Sequence, residues 1–180
     1  MERELPERMG SEGKKPIASL EPTLFAEVLS GLGHVGRTHA LRVKVSPLSG
    51  TLVDDIALEL LKAPFVRSVV ATNTLPNQEP KKADGTDALH FTVPNVEGVQ
   101  NMGGMAGRGV KDASLFTVRE LRKLLPQDVR IIGCGGIFNG QDVIDYYNVG
   151  ASGVQIGTAF WEYGGKIFSD VVQEASALDG

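Results

Sequence analysis

Val129-Arg-Ile-Ile-Gly-Cys-Gly-Gly136 is the stretch that decides the fold, and Gly153-Val-Gln-Ile-Gly-Thr158 repeats its pattern one unit later. Each stretch is an apolar strand pattern that ends in small residues just before a helical pattern. Strands of a parallel sheet end at a common edge, so the two tips should lie side by side. Bare main-chain N–H groups, followed by a helix dipole, favour a phosphate there. A tight turn alone would also select glycine, but the repetition favours a phosphate site.

Outward from these tips, strands and helices alternate along the chain. Strand patterns occupy Leu41–Val45, Val66–Thr72, Val129–Cys134 and Gly153–Gly157, and a helical pattern follows each strand. Strict alternation predicts an α/β fold with a parallel sheet. The chain contains four βα units, whereas a (β/α)8 TIM barrel has eight in ~250 residues. We therefore predict the C-terminal four units of a TIM barrel over residues 21–180, after a polar, disordered lead over residues 1–20.

The helical patterns carry specific expectations. Pro22 opens the first helix, and Gly31 and Gly33 should end it. Thr51 and Asp54 are spaced as a capping box for the second helix. The residues expected on inward faces are Leu24, Phe25, Val28, Leu29 and Leu32, then Val53, Ile56, Ala57, Leu60 and Leu61, then Leu115, Val118, Leu121, Leu124 and Leu125, then Val143, Ile144 and Tyr147, and finally Ile167, Phe168, Val171, Val172 and Ala175.

Composition excludes several classes of function. The 180 residues carry a net charge of −4, so electrostatics give no reason to expect nucleic acid or an anionic membrane as a partner. The single Cys134 excludes an internal disulfide and a cysteine cluster, and the three histidines show no metal-ligand spacing. The N-terminus has no secretory pattern. We expect a soluble, cytoplasmic protein without a metal.

Other residues carry chemistry but leave alternatives open. Lys44 lies within an apolar strand, where it either faces water beside Arg42 or points into a barrel mouth beside an anionic ligand. Thr72-Asn-Thr74 could bind a polar ring or simply form a turn. The long segment from Leu75 to Lys111 contains Gly103-Gly-Met-Ala-Gly107. This glycine-rich loop would let its backbone approach a flat ring or a phosphate closely, or would form a flexible lid. In the same segment, Leu89–Val93 could add a short strand. A dinucleotide fingerprint is excluded because Phe138 stands at the third glycine position.

These elements, in this order, resemble the C-terminal half of the dihydroorotate dehydrogenases. The resemblance runs from about Leu41 to Val172. The stretches that carry it are Lys-Val-Ser-Pro (44–47), Thr-Asn-Thr (72–74), Gly-Gly-Met-Ala-Gly (103–107), Ile-Ile-Gly-Cys-Gly-Gly-Ile (131–137), Gly-Gln-Asp (140–142) and Gly-Ala-Ser-Gly-Val-Gln-Ile-Gly-Thr-Ala (150–159). The 155–159 tip and Gly-Gly-Lys-Ile-Phe (164–168) are most similar to the soluble, fumarate-using class.

The resemblance implies FMN as the cofactor and a role for each matched residue. The FMN phosphate would be held by Gly135, Gly136, Gly157 and Thr158. The flavin would be lined by Gly107 and the main chain of Thr72, with Lys44 on the side where reduced flavin carries its negative charge. Asn73 and Thr74 would bind the pyrimidine. The implied reaction oxidises dihydroorotate to orotate in pyrimidine (UMP) biosynthesis and passes electrons to fumarate.

The same resemblance indicates what this chain lacks. The family's catalytic base and several substrate contacts lie in the first half of the barrel, and no matching motif occurs in residues 1–40. Half a barrel should expose an apolar inner face and two strand edges, so we expect a homo-oligomer or a complementing half. The isolated chain could be inactive. Two alternatives stay open: a non-flavin phosphate-binding barrel enzyme and a non-catalytic fragment.

Overall fold

The computed structural model describes residues 17–78, 91–92, 99–100 and 103–178. A parallel sheet is formed by strands β1 (Leu41–Val45), β2 (Val66–Ala71), β7 (Arg130–Cys134) and β8 (Gly153–Gln155). The α-helices are α1 (Pro22–Gly36), α2 (Leu52–Leu61), α3 (Lys111–Leu124), α4 (Gly140–Asn148), α5 (Thr158–Tyr163) and α6 (Lys166–Leu178). The predicted α/β class and parallel strands are confirmed.

The sheet is wound in one direction. Its strand order is β1-β2-β7-β8, so each parallel strand neighbours the next one along the chain. Right-handed crossovers in such an order place the connecting helices on one face, whereas a dinucleotide-binding sheet reverses its order at a switch point. The described sheet is open, with β1 and β8 at its edges. That it forms half of a closed barrel stays a prediction.

The two faces of the sheet differ in chemistry. The face toward the helices carries fully buried side chains such as Val45, Val69 and Ile131, which belong to the main hydrophobic core. Strand register places the other side chains on the opposite face: Arg42, Lys44, Ser68, Val70, Arg130, Ile132 and Cys134. The face is therefore not uniformly apolar, contrary to the expectation, because three cationic side chains lie on it beside the apolar ones.

Several helix details differ from the sequence-based expectations. Helix α1 runs through Gly31 and Gly33 to Gly36, and Thr51 makes no side-chain cap on α2. Some apolar residues expected on inward faces are exposed, namely Val28, Leu32, Leu61, Leu124, Tyr147, Phe168 and Val172. Most of them lie beside a buried neighbour, and successive helical residues are rotated by about 100°. Tyr146, rather than Tyr147, is the buried tyrosine of α4.

The long segment between β2 and α3 contains two antiparallel pairs. Strand β3 (Leu75–Gln78) pairs with β6 (Gly103–Met105), and β4 (Phe91–Thr92) pairs with β5 (Val99–Gln100). The strand expected over Leu89–Val93 is thus present at residues 91–92, and its other positions lie outside the described residues. Of the expected disordered lead, residues 1–16 also lie outside them, while Ala18–Leu20 form a 3-10 turn.

Candidate functional site

A cavity of about 170 Å³ lies where the four parallel strands end. Every residue that the sequence assigned to cofactor or substrate lines it: Lys44, Thr72, Asn73, Thr74, Gly107, Gly135, Gly136, Gly157 and Thr158. They come from all parts of the described chain and meet because parallel strands share a carboxyl edge. The same edge is where open α/β sheets bind ligands. A larger hollow near His39 and Phe65 lies at the opposite end of the sheet, away from these residues.

The glycine tips adopt backbone conformations that the sequence pattern suggested. Gly135 and Gly136 have φ angles of 135° and 66°, values that side-chain-bearing residues rarely adopt. A Cβ on Gly136 would lie 2.6 Å from the Cβ of Lys111, so the turn also packs too tightly for a side chain. At Gly157, by contrast, a Cβ would meet no atom within 4 Å. The Gly135–Gly136 turn is therefore packed against α3, whereas the space where a side chain of residue 157 would lie is empty of other residues.

Buried hydroxyl groups support the tips of β2 and β7. Thr72 and Ser114 share a hydrogen bond of 2.6 Å, and the main-chain N–H of Thr72 donates to the carbonyl of Cys134 at 2.7 Å. Tyr146 donates from its hydroxyl to the carbonyl of Gly135 at 2.6 Å. These contacts join the two strand ends to α3 and α4. The peptide bond between Ala71 and Thr72 is cis.

The N-terminus of α4 is already occupied by carboxylates. Asp142 accepts hydrogen bonds from the main-chain N–H groups of Phe138 and Asn139 at 2.8 and 3.2 Å. Glu174 accepts from the N–H of Gly140 at 2.7 Å. These N–H groups already have acceptors. The expected contribution of the helix dipole to phosphate binding stays a prediction. An anion would have to use the glycine tips themselves.

Lys111 balances the charge of these carboxylates. Its ammonium binds Asp142 and lies 2.7 Å from Asp145. Burial alone lowers the pKa of Lys111, but the hydrogen bonds and charges of the two aspartates outweigh burial and raise it. The hydrogen bond from Lys111, helped by one from Gln141, lowers the pKa of Asp145. Both shifts favour the ionised forms of Lys111 and Asp145 at neutral pH. The contacts of Lys111 with the two aspartates join the start of α3 to α4.

Lys44 faces the cavity rather than bulk water alone. Its Nζ atom lies 3.9 Å from the Sγ atom of Cys134, two strands away on the same face of the sheet. Its neighbour Arg42 is engaged differently, donating to Ser68 at 3.0 Å. Lys44 thus lines the cavity, but it is also exposed on the edge strand β1, as the water-facing interpretation predicted. A position beside an anionic ligand stays a prediction. The lining residues with titratable side chains are Lys44 and Cys134.

The sequence pattern does not identify the residues that hold the strand tips in place. Ser114, Lys111 and Tyr146 belong to helices whose periodicity indicates only which side is buried. The Gly140-Gln-Asp142 motif alone does not indicate that Asp142 caps its own helix. A capping-box pattern from Asn139 to Asp142, which the structure forms, was the available signal. The guanidinium carbon of Arg108 lies 4.0 Å from the ring centroid of Phe138, and no sequence pattern indicates this contact.

The sequence of this chain is similar to those of known proteins of one family. A family model for dihydroorotate dehydrogenase matches residues 13–178. The chain belongs to the dihydroorotate dehydrogenase family. A mitochondrial dihydroorotate dehydrogenase (quinone) from Schizosaccharomyces pombe is 36% identical over 157 residues, which are 86% of this chain and 33% of that protein. A dihydroorotate dehydrogenase (quinone) from Shewanella denitrificans is 33% identical over 132 residues, 72% of this chain and 35% of that protein.

The fold of the family is shared as well. The crystal structure of ligand-free dihydroorotate dehydrogenase from Eimeria tenella matches with a TM-score of 0.71 at 23% identity, covering 92% of this chain and 48% of that one. The chain thus spans about a third of the length of these curated relatives and about half of the solved one. Both curated relatives carry the word quinone in their names, so the expected fumarate-using class has no support from them.

Two further observations concern the described residues alone. None of the described helices combines the length and the apolar character needed to cross a membrane. No group of three or more His, Cys, Asp or Glu side chains in the described ranges could hold a metal ion.

Proposed function

We propose that this chain forms the FMN-phosphate side of a dihydroorotate dehydrogenase, which oxidises dihydroorotate to orotate in pyrimidine biosynthesis. The observation that carries the proposal is the convergence of the matched residues on one cavity at the carboxyl edge of the sheet. Family membership alone does not show whether the cofactor site of this chain still binds FMN. The retained glycine tips and the inward Lys44 support a site that still binds its cofactor.

The residues fit the cofactor's phosphate. The space beyond Gly157 is open, so a phosphate has room where a side chain would otherwise stand. The main-chain N–H groups of Gly136 and Gly157 have no acceptor among the described residues, so they are available to an anion. The cavity, at about 170 Å³, is smaller than the ~300–1,000 Å³ of typical ligand pockets. The described residues therefore form one wall of the site and hold only part of FMN.

Each lining residue has a role in this proposal. Gly135, Gly136, Gly157 and Thr158 would hold the phosphate, and Gly107 with the main chain of Thr72 would line the ring. Lys44 would place a fixed cation beside the ring, and Asn73 and Thr74 would hydrogen-bond the pyrimidine. FMN, when bound, would supply the hydride acceptor. The lining contains no carboxylate or histidine. The family resemblance puts the catalytic base in the first half of the barrel, so we propose that the base comes from outside the described residues.

Quinone is the acceptor that the relatives' names favour over fumarate. We therefore propose quinone for the whole protein to which this wall belongs. Turnover of dihydroorotate by the chain should be tested with a soluble quinone and with fumarate in parallel. Faster turnover with fumarate would contradict the quinone proposal. The absence of turnover with either acceptor, alongside FMN binding, would indicate that the base-bearing half is required.

FMN binding provides the direct test. The purified chain should take up FMN at micromolar concentration, measured by quenching of flavin fluorescence. Gly157→Leu should abolish uptake because its side chain fills the open space at the tip. Gly165→Leu is the matched control, since a Cβ there also meets no atom within 4 Å and the residue lies outside the cavity. Equal uptake by both variants would refute the phosphate site.

The other predictions are less favoured or await measurement. A non-flavin phosphate enzyme such as an isomerase would need a carboxylate at a strand tip, and the cavity lining contains none. A non-catalytic role is excluded if turnover is observed. A homo-oligomer or a complementing half is proposed from the open sheet, and size-exclusion chromatography tests it. A cytoplasmic location is likewise a proposal, tested by fractionation.

A further inference from the structure

Tyr146 occupies an unusual position beneath the tip of β7. It lies on α4 and is completely buried, while the next residue, Tyr147, is 49% exposed. Its ring packs against Gly133, where a Cβ would collide with the ring. Its hydroxyl donates to the carbonyl oxygen of Gly135 at 2.6 Å. The aromatic ring therefore spans the space from the middle of the strand to its tip, and its one polar atom is bound to the backbone of the turn.

That hydrogen bond determines where a neighbouring donor points. The carbonyl of Gly135 and the N–H of Gly136 belong to one planar peptide group, and in a trans peptide they point in opposite directions. The one cis peptide in the described residues is between Ala71 and Thr72. Because Tyr146 holds the carbonyl toward the core, the N–H of Gly136 is directed away from the core. Gly136 lines the cavity, and no described residue accepts its N–H.

The hydroxyl is held as a stable donor. Burial raises the pKa of Tyr146, against a smaller opposing effect from its hydrogen bond with Ser114. The phenol therefore remains protonated throughout the physiological pH range. Ser114 in turn shares its hydrogen bond with Thr72 at the tip of β2. The direction of the Gly135–Gly136 peptide is thus tied, through Ser114, to the end of the neighbouring strand β2.

We propose that Tyr146 is a positioning residue that aims the main-chain N–H of Gly136 at the cofactor's phosphate. This inference rests on the proposed function, because the anion in question is the phosphate of FMN. Tyr146 touches neither cofactor nor substrate and acts only through the peptide group. Its hydroxyl should therefore affect binding of the phosphate and leave binding of the flavin ring unchanged.

The comparison of FMN with riboflavin isolates this effect, because riboflavin lacks the phosphate. Affinities for both compounds should be measured for the full chain, for Tyr146→Phe and for the control Tyr147→Phe. A hydrogen bond to a charged group is typically worth roughly 10- to 150-fold in affinity. Tyr146→Phe leaves the N–H of Gly136 in place but no longer fixes its direction, so the lower end of that range applies. We expect Tyr146→Phe to weaken FMN binding about tenfold and riboflavin binding less than twofold. A partly unfolded variant would lower both apparent affinities equally, so their ratio reports positioning alone.

A second readout does not depend on FMN. The amide proton of Gly136 should shift downfield in NMR spectra when inorganic phosphate is added to the wild-type chain. This shift should be lost in Tyr146→Phe and kept in Tyr147→Phe. If wild type binds no FMN but this amide still responds to phosphate in a Tyr146-dependent way, the proposed function fails and the positioning role stands. An unresponsive Gly136 amide, or equal loss of FMN and riboflavin affinity, would overturn the positioning role.

Discussion

Replacement of Asp142 by asparagine should be one of the more damaging polar substitutions in the chain. Asp142 is 5% exposed, caps the main-chain N–H groups of Phe138 and Asn139, and binds the ammonium of Lys111. Asparagine keeps a carbonyl oxygen for the two N–H groups. In that orientation an N–H₂ donor faces Lys111 in place of the charged oxygen. If the amide is reversed, its oxygen faces Lys111 and its N–H₂ group faces the two main-chain N–H donors instead.

The magnitude follows from these contacts. Removing one partner of a fully buried ion pair costs ~3–5 kcal/mol. Lys111 is 23% exposed and retains Asp145 at 2.7 Å, which reduces the cost. Loss of a negative charge at a helix N-terminus adds ~0.3–1 kcal/mol. We expect a total of ~2–3 kcal/mol, which for a chain of this length corresponds to a fall in Tm of about 5–10 °C.

Urea unfolding followed by far-UV circular dichroism measures this loss, with an unchanged m value as the sign that only stability has changed. Asp170→Asn is the control, because its pair with Lys166 lies on the surface, with exposed fractions of 77% for the lysine and 35% for the aspartate. An exposed pair of this kind is worth ~0–0.5 kcal/mol. If the two variants differed by less than ~1 kcal/mol, the structural role assigned to Asp142 would be refuted.

Other substitutions test the core, the glycine turn and the titration of the charged cluster. Leu121→Ala removes a fully buried core side chain and should cost ~2–5 kcal/mol in chemical denaturation. Gly136→Ala should cost ~1–3 kcal/mol because of its positive φ and the nearby Lys111, whereas Gly31→Ala, with open space within α1, should stabilise the chain by up to ~1 kcal/mol in the same assay. Because the pKa of Asp145 is lowered on folding, its contribution is present above about pH 4 and is lost as the pH falls through the lowered value. Asp145→Asn should therefore flatten the acid side of a stability–pH curve, and an unchanged acid side would contradict this.

The residues that line the cavity could be predicted from the sequence more fully than the residues that hold them in place. Strand tips follow from a two-residue alternation that ends in glycine, so the positions of Gly135, Gly136 and Gly157 could be read locally. Parallel topology then brings them together without further information. The direction of Lys44 required the register between strands, which the sequence pattern leaves open until neighbouring strands are placed.

Helix faces were harder to assign because tertiary packing decides among residues at the edge of an apolar stripe. Tyr146 and Tyr147 lie three and four residues after Val143, and either spacing is compatible with one helical face. The absence of a side chain at Gly133 makes room for the ring of Tyr146, and that is a contact between distant segments. Helix α5 has no recognisable sequence signal, because its Thr158–Tyr163 span is too short to show a helical period.

The cations on β1 also affect how copies of this chain meet. A strand at the border of a sheet offers unpaired backbone groups to any other chain, and inward-pointing charges are one way in which proteins discourage such pairing. Two copies joined along β1 would bring their Arg42 and Lys44 side chains close together without a compensating carboxylate on those strands. Repulsion between them would disfavour pairing through this edge in dilute buffer. At ~1 M salt, where screening acts within ~3 Å, that protection against aggregation would be largely lost.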